Sequence, residues 1–306
     1  MPERLGSKMA KIKTQGDVAV AAVTYKKESQ FVQVLKRLSQ NRFAMVGLGI
    51  VIIIVLASIL APILTPYDPS AFDAASAFQS SSLAHPLGCD NFGRDLLTRL
   101  LYGGRYSLIL GFLAAAASAV IGLVLGTVSG YFGGWVDNLV MRFLDVLQAI
   151  PGTLLSIVIA TALGSGFFNT IIALSIGGVP GITRMLRARI LSERKCEYLE
   201  AASSINCTTG RIMFKHLLPN TVSPVIVNIT MGIGATIMQA AGLSYIGLGV
   251  PVGTPEWGAM LSDGRSYIQS APHLLLWPGL FIAITVLAVN MVGDGLRDAM
   301  DPRLKK

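Results

Sequence analysis

The chain has 306 residues, 52% of them hydrophobic and 14% charged, and a formal net charge of +8. A charged share well below the roughly 25% of soluble domains leaves too much apolar surface for a soluble fold to hide, so a polytopic membrane protein is expected. The positive charge does not signal nucleic-acid binding, because the basic residues cluster beside apolar runs, as positive-inside topology requires.

Residues 1–42 are polar and basic, with Lys8, Lys11, Lys13, Lys26, Lys27, Lys36, Arg37 and Arg42. The part up to about residue 22 is expected to lack fixed structure. From Ser29 on, Phe31, Val34, Leu35 and Leu38 recur at helical spacing. They predict an amphipathic helix on the cytosolic membrane surface, its basic residues against anionic headgroups. The first apolar run starts too far in, and is too long, for a secretory signal, so the tail is expected to be retained. No charge occurs between Arg42 and Asp68, and residues 44–64 exceed the ~20 needed to span a bilayer. This is span one, with its start inside.

Residues 65–105 form the first external segment, made loop-like by Pro66, Pro69 and Pro86. Residues 95–102 are expected as a short interfacial helix. Arg94, Arg99 and Arg105 run against the positive-inside trend here but are outnumbered by the tail and the central loop. Span two covers about 106–130. Its Gly122, Gly126 and Gly130 are four apart, which lets another helix approach closely. YFGGWVD at 131–137 reads as a tight internal turn. Charges stop again between Asp145 and Arg184, and Gly164-Ser165-Gly166 divides this interval. Span three is then about 138–163, kinked at Pro151, and span four about 167–186, loosened by Gly177, Gly178, Pro180 and Gly181. Arg142 and Asp145, three residues apart, are expected to pair or to lie at the interface.

A polar, basic island follows, with Arg184, Arg187, Arg189, Arg194, Lys195, Arg211 and Lys215, and is therefore inside. Tyr198, Leu199, Ala202 and Ile205 fall on one face of a short helix. Residues 206–210 read as a break. Thr208 or Thr209 is a candidate cap for a second helix to Leu218, which Pro219 disturbs. Two short helices joined by a turn suit a knob that docks on something soluble; an amphipathic hairpin beside the membrane is the plainer alternative. Span five, about 221–248, carries Asn228, Thr230 and Gln239, too polar for a lipid-facing helix. They should face other helices or a water-filled path. A second external segment, PVGTPEWGAMLSDGR, precedes span six at about 274–292, and the tail after it ends basic, hence inside. The expected fold is all-α, with six transmembrane helices, both termini cytosolic, and cytosolic helices between spans four and five. It divides into a basic tail, 1–43, and a transmembrane domain, 44–306.

Cys89, Cys196 and Cys207 form no CxxC and no disulfide framework. Cys196 and Cys207 are expected in the cytosol and Cys89 outside, all as packing residues. His85, His216 and His273 suggest no zinc cluster and set no base beside a nucleophile, which argues against an intramembrane hydrolase. No GxxxxGK[ST] phosphate loop occurs. No cofactor or metal is expected on this chain.

The island, EAASSINCTTGRIMFKHLLPN from 200, resembles the EAA loop of bacterial ABC importer permeases. Glu200, Ala201, Ala202, Leu218 and Pro219 match that pattern, and Asn206 stands where the family has glycine. HPLGCDNFGRDLLTRLLYGGRYSL, SYIGLG followed by TPEWG, and GDGLRDAMDPRL occur with it in order. Together they resemble the second permease subunit of dipeptide, oligopeptide and nickel-type ABC importers. The resemblance implies uptake of di- or oligopeptides or similar solutes, with nickel or metal chelates as the alternative; a standalone channel is the alternative of another class. It implies a homologous second permease in a heterodimer, two cytosolic ATPases that hold ATP and Mg, and an extracytoplasmic binding protein. Glu200, Ala201, Ala202, Asn206, Leu218 and Pro219 would then face the ATPases. A glycine at position 206 in relatives implies a left-handed turn, which Asn tolerates next best. The subgroup often carries an acidic residue just before the SYIGLG-like run, where this chain has Ala240, which argues against a charged path in span five.

Overall fold

A bilayer offers no water to backbone amides and carbonyls, so an apolar chain closes these bonds within helices. The structure, a computed structural model, describes residues 30–251 and 253–300, which are helical with no β-strand. The expected unstructured tail before residue 30 and the basic residues 301–306 lie outside the described residues.

Helix α1, Gln30–Gln40, is the expected amphipathic helix. Asn41 caps α2, Arg42–Ile59, by accepting from the Ala44 amide at 3.2 Å. A short α3, Ala61–Leu64, completes the first apolar run. After a loop-rich segment comes α4, Leu96–Phe132, with 37 residues. At 1.5 Å per residue it is about 55 Å long, well beyond the ~30 Å hydrocarbon layer. The interfacial helix expected at 95–102 is therefore the first part of α4. Gly103 and Gly104 lie within it as spacers: a Cβ at Gly103 would strike Pro255, and one at Gly104 would strike Ser58.

Helices α5, Gly134–Gln148, and α6, Gly152–Leu163, meet at an angle of 85°. The expected kink at Pro151 is thus a corner: proline donates no amide proton and pushes the preceding residue out of the helical region. Helix α7, Phe167–Glu193, runs through Pro180 without interruption and beyond the expected end of its span. The island holds α8, Glu197–Ser204, α9, Thr209–Arg211, a π-helical turn, Ile212–Leu217, and α10, Leu218–Thr221. Then follow α11, Ser223–Tyr245, α12, Trp257–Gly264, and α13, His273–Met300. Five helices (α2, α4, α7, α11 and α13) are long and apolar enough to cross a membrane, and the bent α5–α6 pair makes six if it counts as one span.

The glycine stripe of α4 lies against α7. A Cβ at Gly122 would stand 2.7 Å from Ile182 Cγ2, at Gly126 2.8 Å from the Thr183 carbonyl, and at Gly130 2.9 Å from Ile190 Cβ. The acidic residues of α5 also turn to α7. Arg187 grips Asp137 through Nε and Nη2, both at 2.5 Å. Asp145 pairs with Arg184 at 2.6 Å, so the expected pairing with Arg142 is not made. The corner at Pro151 returns the chain so that α7 runs beside α5, and Arg184 arrives from there.

At the end of the bundle away from the island, the misfit arginines are explained. Arg94 and Arg99 are buried against Asp90 and Asp263: Arg94 Nε donates to Asp90 Oδ2 at 2.6 Å, and Arg99 lies 3.5 and 3.6 Å from the two carboxylates. Burial raises the Asp263 carboxyl above its ordinary range, against the pull of both guanidinium groups. Arg105 instead closes the last turn of α2, donating to Ser58 O at 2.7 Å and Ile59 O at 2.8 Å. Glu256 is buried too. It caps α12 through the Ala259 amide at 2.8 Å and accepts from Ser107 Oγ at 2.9 Å, while Trp257 Nε1 donates to Leu100 O at 2.9 Å.

Cys89 is fully buried here, so a reagent does not simply reach it from outside. Burial, then the Asp95, Asp90 and Asp73 carboxylates, push its thiol up to about 11. Cys196 and Cys207 are half-buried. Near neutral pH, maleimide should label those two in the folded protein and Cys89 only after denaturation. Mass spectrometry showing fast native labelling of Cys89 would refute the packing of this segment.

The α4–α7 contact gives a second test. Gly126→Leu should lower the thermal unfolding midpoint in detergent, by the equivalent of about 1–3 kcal/mol for an overpacked core. Gly49→Ala should leave it unchanged, because a Cβ at Gly49 meets nothing within 4 Å. Equal midpoints for the two variants would contradict the close approach.

Candidate functional site

The island is a two-faced knob. Leu199 and Ala202 of α8, with Ile212 and Leu217 of the π turn, are buried against Ile182, Leu186 and Ile190 of α7 and Val225 of α11. Tyr198 and Ile205, expected on this buried face, are exposed, Ile205 to 76%. Helix α8 spans only about two turns, too short to hold all four positions against one surface.

The turn after α8 has the geometry inferred for Asn206. Its φ is +59°, in the left-handed region. The Asn206 amide donates to Ser203 O at 3.0 Å and the Cys207 amide to Ala202 O at 3.2 Å. These two bonds form a Schellman motif with Asn206 at the left-handed position. Thr208 stands at the N-cap of α9 but makes no side-chain capping bond. The π turn precedes Pro219, which has no amide proton for the Lys215 carbonyl. Asn220 Nδ2 donates to the adjacent His216 O at 2.8 Å.

Tyr198 ties the knob together. Its hydroxyl donates to Glu193 Oε1 at 2.7 Å and accepts from Asn220 Nδ2 at 3.3 Å, which links the end of α7, α8 and α10. Burial and the bond to Glu193 push the phenol up to about 12. On the outer face Glu200, Ala201, Asn206 and Pro219 are exposed, whereas Ala202 is buried and Leu218 half-buried. Phe214, 70% exposed, and Ile205 add apolar surface to this otherwise polar face. Sequence reasoning missed Phe214 as a surface group; the signal was an aromatic residue between Arg211 and Lys215.

The second feature is a cavity of about 220 Å³ between α4, α6, α7 and α11. Asn228, Gly232, Thr236 and Gln239 form its α11 wall, and Gly177, Gly178 and Gly181 lie on the α7 side. Among the described residues, no charged side chain lines it. The structure therefore brings Asn228 and Gln239 together on one surface but not Thr230. Thr230 is two residues from Asn228, about 200° around the helix, and its hydroxyl bonds Ile226 O at 2.9 Å. Ala240 is buried in the core with Leu110 and Leu174 and does not line the cavity.

Residues 122–306 match the family model described as binding-protein-dependent transport system inner membrane component. Residues 29–86 match the N-terminal TM domain of oligopeptide transport permease C. The chain belongs to this family of inner membrane permeases. Among its relatives, the dipeptide transport system permease protein DppC of Alkalihalophilus pseudofirmus is 43% identical over 281 residues, 92% of each chain. The glutathione transport system permease protein GsiD of Pectobacterium atrosepticum is 42% identical, over 88% of this chain and 89% of its own. An inward-facing structure of the MetNI methionine ABC transporter shares the fold, with a TM-score of 0.53 at 20% identity. It covers 66% of this chain and 96% of that one. The resemblance read from the motifs is thereby confirmed. The permease is a multi-pass component of the inner membrane in an ABC import system, a class that works with ATPase subunits and a binding protein.

The turn at Asn206 supplies a test in the purified permease. Asn206→Gly should change stability by less than about 1 kcal/mol, the scale of cap substitutions. Asn206→Val should be worse, because a β-branched residue resists positive φ. Proteolysis at the knob reads this locally: Val should speed cleavage and Gly should not. Identical cleavage of both variants would mean that the left-handed turn contributes nothing.

Proposed function

We propose that this permease pairs with a homologous second permease in a heterodimer and takes up di- or oligopeptides or similar small peptide-like solutes. The reading rests on one observation above others: relatives more than 40% identical over most of their length carry dipeptide and glutathione transport names. The cavity suits that cargo. Its amide and hydroxyl groups can exchange hydrogen bonds with a peptide backbone without a fixed charge to hold it.

Two cytosolic ATPases would dock beneath, holding ATP and Mg and doing the hydrolysis, and an extracytoplasmic protein would deliver solute. This chain would bind no cofactor. The outer face of the knob, with Glu200, Ala201, Asn206 and Pro219, would meet an ATPase, with Ala202, Leu218, Ile205 and Phe214 completing the docking element. Ala201 permits close approach, and Ile205 and Phe214 act as apolar anchors. The buried face packs on α7 and α11, and both of these helices line the cavity. A displacement of the knob by the ATPases is thereby passed to the cavity walls.

Reconstitution with the second permease, the ATPases and the binding protein tests this. ATP-dependent uptake of a labelled dipeptide is expected. Glu200→Arg and Ile205→Asp should leave the permease folded, since both sites are exposed. Loss of an interface anchor costs about 2 kcal/mol or more, so both ATPase co-purification and uptake should fall. Unchanged uptake in both variants would remove the knob from the coupling role, and ATP-independent flux would favour a channel.

A further inference from the structure

The cavity contains glycines that helix packing does not explain. Glycine is, after proline, the least favourable residue inside a helix. At Gly122, Gly126 and Gly130 a close neighbouring helix accounts for it. At Gly181 of α7 and Gly232 of α11, an added Cβ would meet nothing within 4 Å. Both residues line the cavity, on two different walls. Among the described residues, the amides of Asn228 and Gln239 beside them make no hydrogen bond within the chain. These two amides lie eleven positions apart on α11, about 16 Å along its axis. An extended dipeptide covers about 7 Å, so the two amides mark successive stations.

We propose that Gly181 and Gly232 are a size filter in the solute path. They keep two helix walls bare, which leaves room for the side chains of a peptide-like solute, while Asn228 and Gln239 exchange hydrogen bonds with its backbone. The carboxamide supplies both a donor and an acceptor, as a peptide group does. Because no charge lines the wall, the filter sorts by side-chain bulk and not by side-chain charge. The inference rests on the uptake of peptide-like solutes proposed above and adds which residues set the upper size.

The test uses the whole importer in proteoliposomes, with its binding protein preloaded with labelled Ala-Ala or Phe-Phe. The variants are Gly181→Leu and Gly232→Leu, with the milder Gly181→Ala/Gly232→Ala pair in case leucine disturbs assembly. Gly279→Leu serves as the control, since Gly279 also has open space around a Cβ but lies on α13, away from the cavity. Each leucine variant should lower Phe-Phe uptake about tenfold and Ala-Ala uptake no more than about twofold, a discrimination of about fivefold, or about 1 kcal/mol at 1.4 kcal/mol per decade. The alanine pair should shift the ratio in the same direction by less. Equal loss of both dipeptides, or no loss of either, with the control unaffected, would overturn the filter. A wild-type importer that carries neither dipeptide would instead overturn the reading of the solute class, and the filter with it.

Discussion

The contact of α4 with α7 is the constraint on which the remaining geometry rests. Inside a bilayer, apolar side chains gain little by leaving lipid for protein, so helices are held by close packing and by polar groups that find each other. Gly122, Gly126 and Gly130 remove the side chains that would hold the two helices apart. Polar links then close the island end of this pair. Arg187 holds Asp137, which also accepts from Ser129, and Arg194 donates to Gly130 O at 3.3 Å. Helix α7 thus reaches the knob in a fixed orientation, and Ile182, Leu186 and Ile190 offer the surface on which the knob is built.

The opposite end is fixed by a different means. Four charges, Asp90, Arg94, Arg99 and Asp263, are taken largely out of water, and removal of any one would leave an uncompensated partner. Such a cluster adds little net stability, but it ties the segment before α4 to α12 across a long sequence separation. Arg94 also lies over the Phe92 ring at 4.7 Å. Glu256 and Trp257 continue the tie into α4. Between these two braced ends lies the neutral cavity, where unpacked glycines are found. Rigid ends and a loosely packed middle are what a helix bundle needs if its walls are to move relative to one another.

Local and periodic features were legible in the sequence. The apolar runs marked the spans, the four-residue glycine spacing marked a close helix contact, and the glycine-like position of Asn206 marked a left-handed turn. The first two are read from residues close in the chain, and the third from the resemblance of the island to the family's loop. The features that were not legible depend on partners far away. The continuity of residues 95–102 with span two was not legible, because the groups packed against Gly103 and Gly104, Pro255 and Trp257, lie far along the chain. Asp145 pairs 39 positions along the chain with Arg184, not three back with Arg142. The misfit arginines could not be placed without Asp263, and Thr230 looked equivalent to Asn228 until the helical phase separated them.

If the ATPases dock on the knob as proposed, its arrangement would let so short an element act on long helices. Within it, the freedom that would absorb a push is removed at each joint. The Schellman turn at Asn206 fixes the end of α8, the Tyr198 hydroxyl bridges α7 and α10, and Asn220 Nδ2 donates to His216 O in the π turn. The buried face offers no slack either, since Leu217 and Val225 are fully enclosed. Under the coupling proposed above, a force on the exposed side would be carried into α7 and α11 with little local rearrangement. Those helices would carry it to Gly181 and Gly232, where a Cβ would meet nothing within 4 Å. The same sequence economy that leaves the cavity without packing contacts is what leaves its walls free to respond.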